Sequence, residues 1–182
     1  VLLFFVWACE NKASSSQKKT LSHKGQEVID LAITAHGQDL FENATVSFLF
    51  RDKKYSTRRS DTSYTYTRSF QDGSALIEDV LINSANFSRK KNGEPIEVSK
   101  EWTEKYSRSI NSVLYFFQLP YVLNDPAVKK IDQGIKRIKD ENYHQIKVSF
   151  QVENGGEDFE DEYLYWIHVN SFEVDYLAYN YI

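Results

Sequence analysis

Methionine is absent from the 182 residues, and cysteine occurs once, at Cys9. A lone cysteine excludes an internal disulfide in any redox compartment. Glycine is scarce, with seven residues, and no G-x-G-x-x-G or P-loop pattern occurs. That excludes a phosphate-cradling glycine loop. The nucleophile elbow G-x-S-x-G is also missing. The four histidines, His23, His36, His144 and His168, are spaced neither as a helical pair nor as a zinc ribbon, so no metal is expected. The formal net charge is only −4, which supplies no global field for nucleic acid. No apolar run approaches the roughly 20 residues that a spanning helix needs.

What is present is aromatic. Twelve Tyr and twelve Phe, with 41% hydrophobic residues, allow a real core and argue against disorder. This composition favours strands. The length suits one domain.

Residues 99–126 (SKEWTEKYSRSINSVLYFFQLPYVLNDP) read as the central helix of the fold. Ser99 is an N-cap, whose hydroxyl accepts from a first-turn N–H. Glu101 and Glu104 place negative charge where the helix dipole favours it, and they face Lys105 and Arg108 at i,i+4. Trp102, Tyr106, Ile110, Val113, Leu114 and Phe117 share one face. From 113 to 117 the polar face disappears, and Pro120 marks the end. A helix end that is apolar all round packs in a core, lines a ligand cavity or touches a membrane. Core packing is the plain reading. The sharper one makes Trp102, Tyr106, Leu114, Phe116 and Phe117 the lining of an apolar ligand site.

Residues 1–8 (VLLFFVWA) have the length of a signal-peptide apolar region. Val6-Trp7-Ala8-Cys9 resembles a bacterial lipobox, with a small residue before the cysteine that is lipidated and becomes the mature N-terminus. Trp7 departs from the usual choice of residue. The competing reading is an N-terminal strand with a buried cysteine. Residues 10–20 are polar, rich in Ser and Lys, and aperiodic, so they read as a flexible tether. The expected organisation is a partial lipoprotein signal peptide at 1–9, a tether at 10–20 and one α+β domain at 21–182. The missing initiator Met and a final residue inside a strand pattern predict a fragment at both ends. A lipidated Cys9 would hold the domain at a membrane and leave no thiol for catalysis.

A second helix is expected over 22–36, with Val28, Leu31, Ala32 and Ala35 as its stripe, widened by Ile29 and Ile33. His36 and Gly37 form its C-terminal signature. Strands are expected over 44–51, 53–59, 63–70, 75–83, 85–91 and 94–98, with hairpin turns at Asp72-Gly73 and Asn92-Gly93. After the central helix come a strand over 128–139, bent at Gly134, and strands over 144–152, 163–169 and 173–181. The order predicts an α+β fold: a curved, half-barrel-like antiparallel sheet with both helices packed on its concave face.

Ala35–Gly37 (AHG), residues 115–128 (YFFQLPYVLNDPAV) and residues 161–181 (DEYLYWIHVNSFEVDYLAYNY) resemble a family of uncharacterised Gram-negative envelope lipoproteins, a domain of unknown function. The similarity runs from the first helix to the end of the chain. Such proteins also look like the lipoprotein-carrier fold of LolA and LolB. That resemblance implies a half-barrel sheet, helices over its concave side and an apolar cavity able to hold acyl chains. It implies no known activity.

Chemistry is otherwise thin. The acidic loop Glu157, Asp158, Glu160, Asp161 and Glu162 lacks the ligand order of a calcium loop and reads as solvated. Glu78-Asp79 and Asp161-Glu162 could act as acid and base only in a shared cleft. Lys53, Lys54, Arg58, Arg59 and Arg68, interleaved with Tyr55, Tyr64 and Tyr66, read as solvated strand faces or a patch for anionic headgroups rather than a nucleic-acid site. No catalytic residue and no cofactor is expected. The expectation is a membrane-anchored envelope protein binding an apolar ligand, lipid or lipidated peptide beside the central helix. The rivals are a protein-interaction module with a filled core and, behind it, a hydrolase-like enzyme. A deep pocket favours the first, a filled core with an exposed apolar patch the second, and converging titratable groups the third.

Overall fold

The computed structural model describes residues 11–37, 41–42, 44–60, 63–151 and 161–180. Cys9 and the apolar run before it lie outside the described residues, as do Glu157, Asp158 and Glu160 of the acidic loop. Among the described residues the class is α+β, with two α-helices, ten strands and only antiparallel pairing. The strands form two open sheets, and the described residues fall into two compact units, each a helix on a sheet.

One unit runs over Gly37–Val122. Its sheet is a meander of β1 (Thr45–Phe50), β2 (Lys53–Ser60), β3 (Ser63–Asp72), β4 (Ala75–Ile82), β5 (Asn86–Lys91) and β6 (Glu94–Ile96), in that order. Both expected turns form. At the second, Asn92 and Gly93 have φ of 52° and 84°, the left-handed pair that a tight hairpin requires. The helix α2 (Lys100–Phe117) follows β6. The Ser99 hydroxyl accepts from the Trp102 N–H at 3.5 Å, and Lys105 pairs with Glu101 at 2.7 Å, as the sequence predicts. The helix packs on β2, β3 and β5. Ile110 and Leu114 are fully buried against Tyr55, Tyr66 and Leu81, with Phe48, Tyr64, Phe87 and Val113 around them.

Strand alternation decides which residues face that helix. Register places Phe48, Tyr55, Arg68, Asp79 and Arg89 side by side across β1 to β5. The next row is Val46, Thr57, Tyr66, Leu81 and Phe87. The first row therefore carries three charged residues on an otherwise apolar face. This corrects the reading of the basic residues as solvated. Arg68 is buried and Arg59 half-buried, whereas Lys54 and Arg58, at the alternate positions of β2, are exposed.

The other unit joins the first helix, through His36, to the chain from Leu123 onward. Its sheet has the order β10 (Val174–Asn180), β9 (Glu162–His168), β8 (Glu141–Phe150) and β7 (Val128–Ile138). A register shift between Asp132 and Ile135 brackets Gly134 at φ +86°, the expected bulge, and the Asp132 carboxylate accepts the Gly134 N–H at 2.7 Å. The helix α1 (Asn11–Ala35) packs on β7. It starts well before the expected Ser22, and residues 11–20, read as a tether, are helical backbone. Lys, Gln and Ala sustain a helix, and no Gly or Pro interrupts it before Gly25. The buried stripe is Gly25, Val28, Ile29, Ala32 and Ile33, at i, i+3, i+4, i+7, i+8 spacing. Leu31, expected inside, is 47% exposed. A Cβ on Gly25 would stand 3.0 Å from the Lys130 carbonyl, so glycine sets the closeness of helix and strand. At the helix end the His36 ring Nδ1 and backbone N–H both donate to the Ala32 carbonyl, at 2.9 and 3.0 Å.

Candidate functional site

All five residues predicted to line a ligand site lie on α2, but the helix distributes them. Trp102 and Phe116 are 14 residues apart, or about 21 Å along the axis at the standard rise. Leu114 lies between, fully buried in the core cluster. The structure thus gives two aromatic ends and a closed middle.

At the first end, Trp102 stacks on Tyr106, with ring centroids 5.3 Å apart, and is 49% exposed. Tyr106 covers the Arg89 guanidinium, whose Cζ is 3.6 Å from the ring centroid. Under it lies the charged part of the cross-strand row. Asp79 is fully buried. Arg68 Nε and Nη2 donate to its Oδ2 at 2.9 and 2.7 Å. Arg89 Nε donates to Oδ1 at 2.6 Å and Nη2 to Oδ2 at 3.0 Å. Arg68 also donates from Nη1 to the Ser109 hydroxyl of α2 at 3.0 Å, which ties sheet to helix. Burial pulls the Arg89 pKa down, but the hydrogen bonds and charge of Asp79 outweigh it and hold it above the ordinary value.

At the second end, Phe117 stacks on Phe48 at 4.0 Å, and Phe48 stacks on Tyr55 at 5.7 Å. Phe41 meets Phe117 edge-on at 6.0 Å and lies 5.5 Å from Tyr121. Phe116 meets Tyr115 edge-on at 6.1 Å. Phe116 and Phe117 remain 41% and 37% exposed. Beside this stack a polar knot closes the helix. The buried Gln118 amide donates to the Leu114 carbonyl at 2.7 Å and to the Tyr66 hydroxyl at 2.9 Å, and its oxygen accepts from Arg59 Nε at 2.8 Å. The Arg59 guanidinium sits 5.0 Å from the ring centroids of both Tyr64 and Tyr121. Burial raises the Tyr66 pKa against the opposing pull of Arg59 and Gln118.

Sequence reasoning singled out the aromatics and missed Gln118, Asp79 and Arg89 as interior polar groups. A signal was present. Asp79 shares its strand parity with Ala75, Ile77 and Leu81, so the apolar face of β4 carries one charge. The same alternation sends Glu78 to the other face and dissolves the Glu78-Asp79 pair. Asp161 and Glu162 also diverge: Asp161 accepts from the Tyr163 hydroxyl at 3.4 Å, and Glu162 pairs with Lys147 at 2.5 Å.

In the other unit, Lys130 is buried, donates to the Gln26 side chain at 2.7 Å, and has its pKa lowered by that burial. Tyr143 is buried beside Asp175, to which its hydroxyl donates at 3.1 Å. Burial and that carboxylate push its pKa up to about 12. His168 lies 3.2 Å from Glu141, and His144 stacks over Phe172. Among the described residues no three His, Cys, Asp or Glu are grouped to hold a metal ion, and no helix is long and apolar enough to cross a membrane. No curated protein matches the chain in sequence. The pattern of one family matches nearly all of it, over residues 3–182, and the chain belongs to that family of unknown function, DUF6503.

Proposed function

We propose that this is a lipid-anchored envelope protein that binds an apolar ligand, a lipid chain or a lipidated peptide, at the aromatic C-terminal end of α2. One observation carries the reading. Phe116 and Phe117 stay 41% and 37% exposed although Phe117 is stacked on Phe48 and braced by Phe41. Exposed apolar groups on a rigid, preorganised platform mark a binding surface more than a packing defect. Covering them would recover about 25 cal/mol per Å² of apolar area before association costs. Cys9, after its apolar run, supplies the anchor, and a second lipid chain at that residue makes the attachment stable. No reaction is assigned.

The rival is a protein-interaction surface on the same rings. It is favoured by the closed core at the middle of the helix, where Ile110 and Leu114 are fully buried against Tyr55, Tyr66 and Leu81. The neutral probe N-phenyl-1-naphthylamine separates the two. Saturable binding to the wild-type protein, lost in Phe116→Ser/Phe117→Ser while Tm is kept, supports the lipid reading. No binding turns the rings over to a protein partner. Membrane fractionation of Cys9→Ser tests the anchor, and retention with membranes would refute it.

A further inference from the structure

Asp79, Arg68 and Arg89 form a buried cluster that is one charge short of neutral. Two guanidiniums share one carboxylate, and no other carboxylate pairs with either arginine among the described residues. The nearby charges on α2 are already matched within the helix, Lys105 with Glu101 and Lys100 with Glu104. Asp79 already takes four N–H donors from the two arginines, one on Oδ1 and three on Oδ2. Arg89 engages Asp79 through Nε and Nη2, and the Tyr106 side chain is a further hydrogen-bond partner of its guanidinium. The Arg89 side chain is 10% exposed, so solvent reaches it, whereas Arg68 behind it is 5% exposed and turns Nη1 to Ser109.

Two partly desolvated guanidiniums with one carboxylate between them are costly unless a second anion meets them, and guanidinium edges match carboxylate and phosphate oxygens. The surroundings add a second requirement. Tyr106 lies flat on the guanidinium, Trp102 lies flat on Tyr106, and the half-exposed Trp102 ring carries the Lys105 ammonium 4.7 Å from its centroid. The rings form a continuous apolar shelf leading away from the cation. A simple inorganic anion would leave that shelf uncovered, whereas an anion with an apolar body would use both.

We propose that the Arg89–Tyr106–Trp102 end of α2 is a binding site for an anionic amphiphile, with its carboxylate or phosphate head at the solvent-reached side of Arg89 and its apolar chain along Tyr106 and Trp102. This site is separate from the Phe116–Phe117 stack, and either one stands if the other fails. The test is isothermal titration of the protein with decanoate, decyl phosphate and decanol, each below its aggregation threshold. The expected result is one-to-one binding of at least one of the two anions, tenfold or more tighter than decanol. Arg89→Met weakens the anion by at least tenfold and leaves decanol unchanged. Trp102→Ala, an exposed substitution that spares the fold, weakens all three together. Preference between decanoate and decyl phosphate identifies the head as a carboxylate or a phosphate. Equal affinity for decanol and the anions, or an Arg89→Met variant that binds them as wild type does, overturns the proposal. So does absence of anion binding. Arg89→Met keeps the neutral Arg68–Asp79 pair; should it unfold nonetheless, Trp102→Ala and the decanol comparison still decide the matter.

Discussion

The two helix–sheet units solve the same packing problem with opposite materials. On β7, α1 uses small and aliphatic residues: Gly25 at the closest approach, then Val28, Ile29, Ala32 and Ile33. On β2, β3 and β5, α2 meets tyrosines, phenylalanines and a buried Arg68–Asp79–Arg89 row. The first interface rests mainly on shape, with one buried polar contact, Lys130 to Gln26. The second buries charges whose desolvation exceeds what packing alone requires, and it leaves aromatic rings half-exposed at both ends of the helix. Apolar jigsaw packing is the less costly way to hold a helix on a sheet. The interface that departs from it is therefore where function is to be sought.

The sharpest way to break the contrast is Asp79→Ala, which leaves two arginines without their shared carboxylate. A loss of about 3–5 kcal/mol is expected, read as a lower denaturant midpoint at unchanged slope. In the other unit, Ile29→Ala opens a cavity under α1 and should cost about 2–5 kcal/mol. Leu31→Ala, on the exposed side of the same helix, should stay within about 0.5 kcal/mol. Equal effects at positions 29 and 31 would mean that the stripe on α1 is misplaced.

A smaller effect appears in alkali. The Tyr143 phenol is raised from its ordinary value of 10.0 to about 12 in the fold. The unfolded chain therefore loses this proton first, and the stability tied to it is intact below pH 10 and lost as pH rises from 10 to about 12. Tyr66, raised in the same direction, adds to the loss, whereas Lys130, whose pKa is lowered, contributes a gain as pH climbs toward 10.5. Tyr143→Phe should flatten the alkaline part of a stability–pH curve. A curve as steep as that of the wild type would show that Tyr143 is not responsible. A smaller loss than that of Asp79→Ala is expected from Arg89→Met. It forfeits two hydrogen bonds to Asp79 and a cation–π contact but relieves repulsion between two guanidiniums and leaves Asp79 paired with Arg68, for a net change of about 1 kcal/mol. Set beside Asp79→Ala, that asymmetry measures how far the cluster exceeds what stability needs.

The strand pattern was legible because period-2 alternation is local, and Asn92-Gly93 and Gly134 announced their backbone directly. The α+β class followed from the order of elements. The division into two sheets was not legible, because a ladder ends wherever the next strand pairs elsewhere, and no residue between β6 and β7 marks that choice. The start of α1 was misread because a run of Ser and Lys is equally at home in a coil and in a helix. The aromatic residues of α2 were found from helical spacing, yet spacing cannot say which of Trp102, Leu114 and Phe117 is covered. Arg68 reads as solvated because strand charge usually is, and Asp79 reads as half of a Glu78-Asp79 pair, although their parity with Tyr66 and Leu81 places both inside.

The most direct test of the central claim is the lipid content of the protein purified without detergent from a Gram-negative host. Native and denaturing mass spectra of the wild type and of Phe116→Ser/Phe117→Ser would be compared after solvent extraction. The account predicts a stoichiometric apolar adduct on the wild type that disappears from a folded double variant. A wild type with a clean protein mass, or an adduct that the double variant keeps, would contradict it.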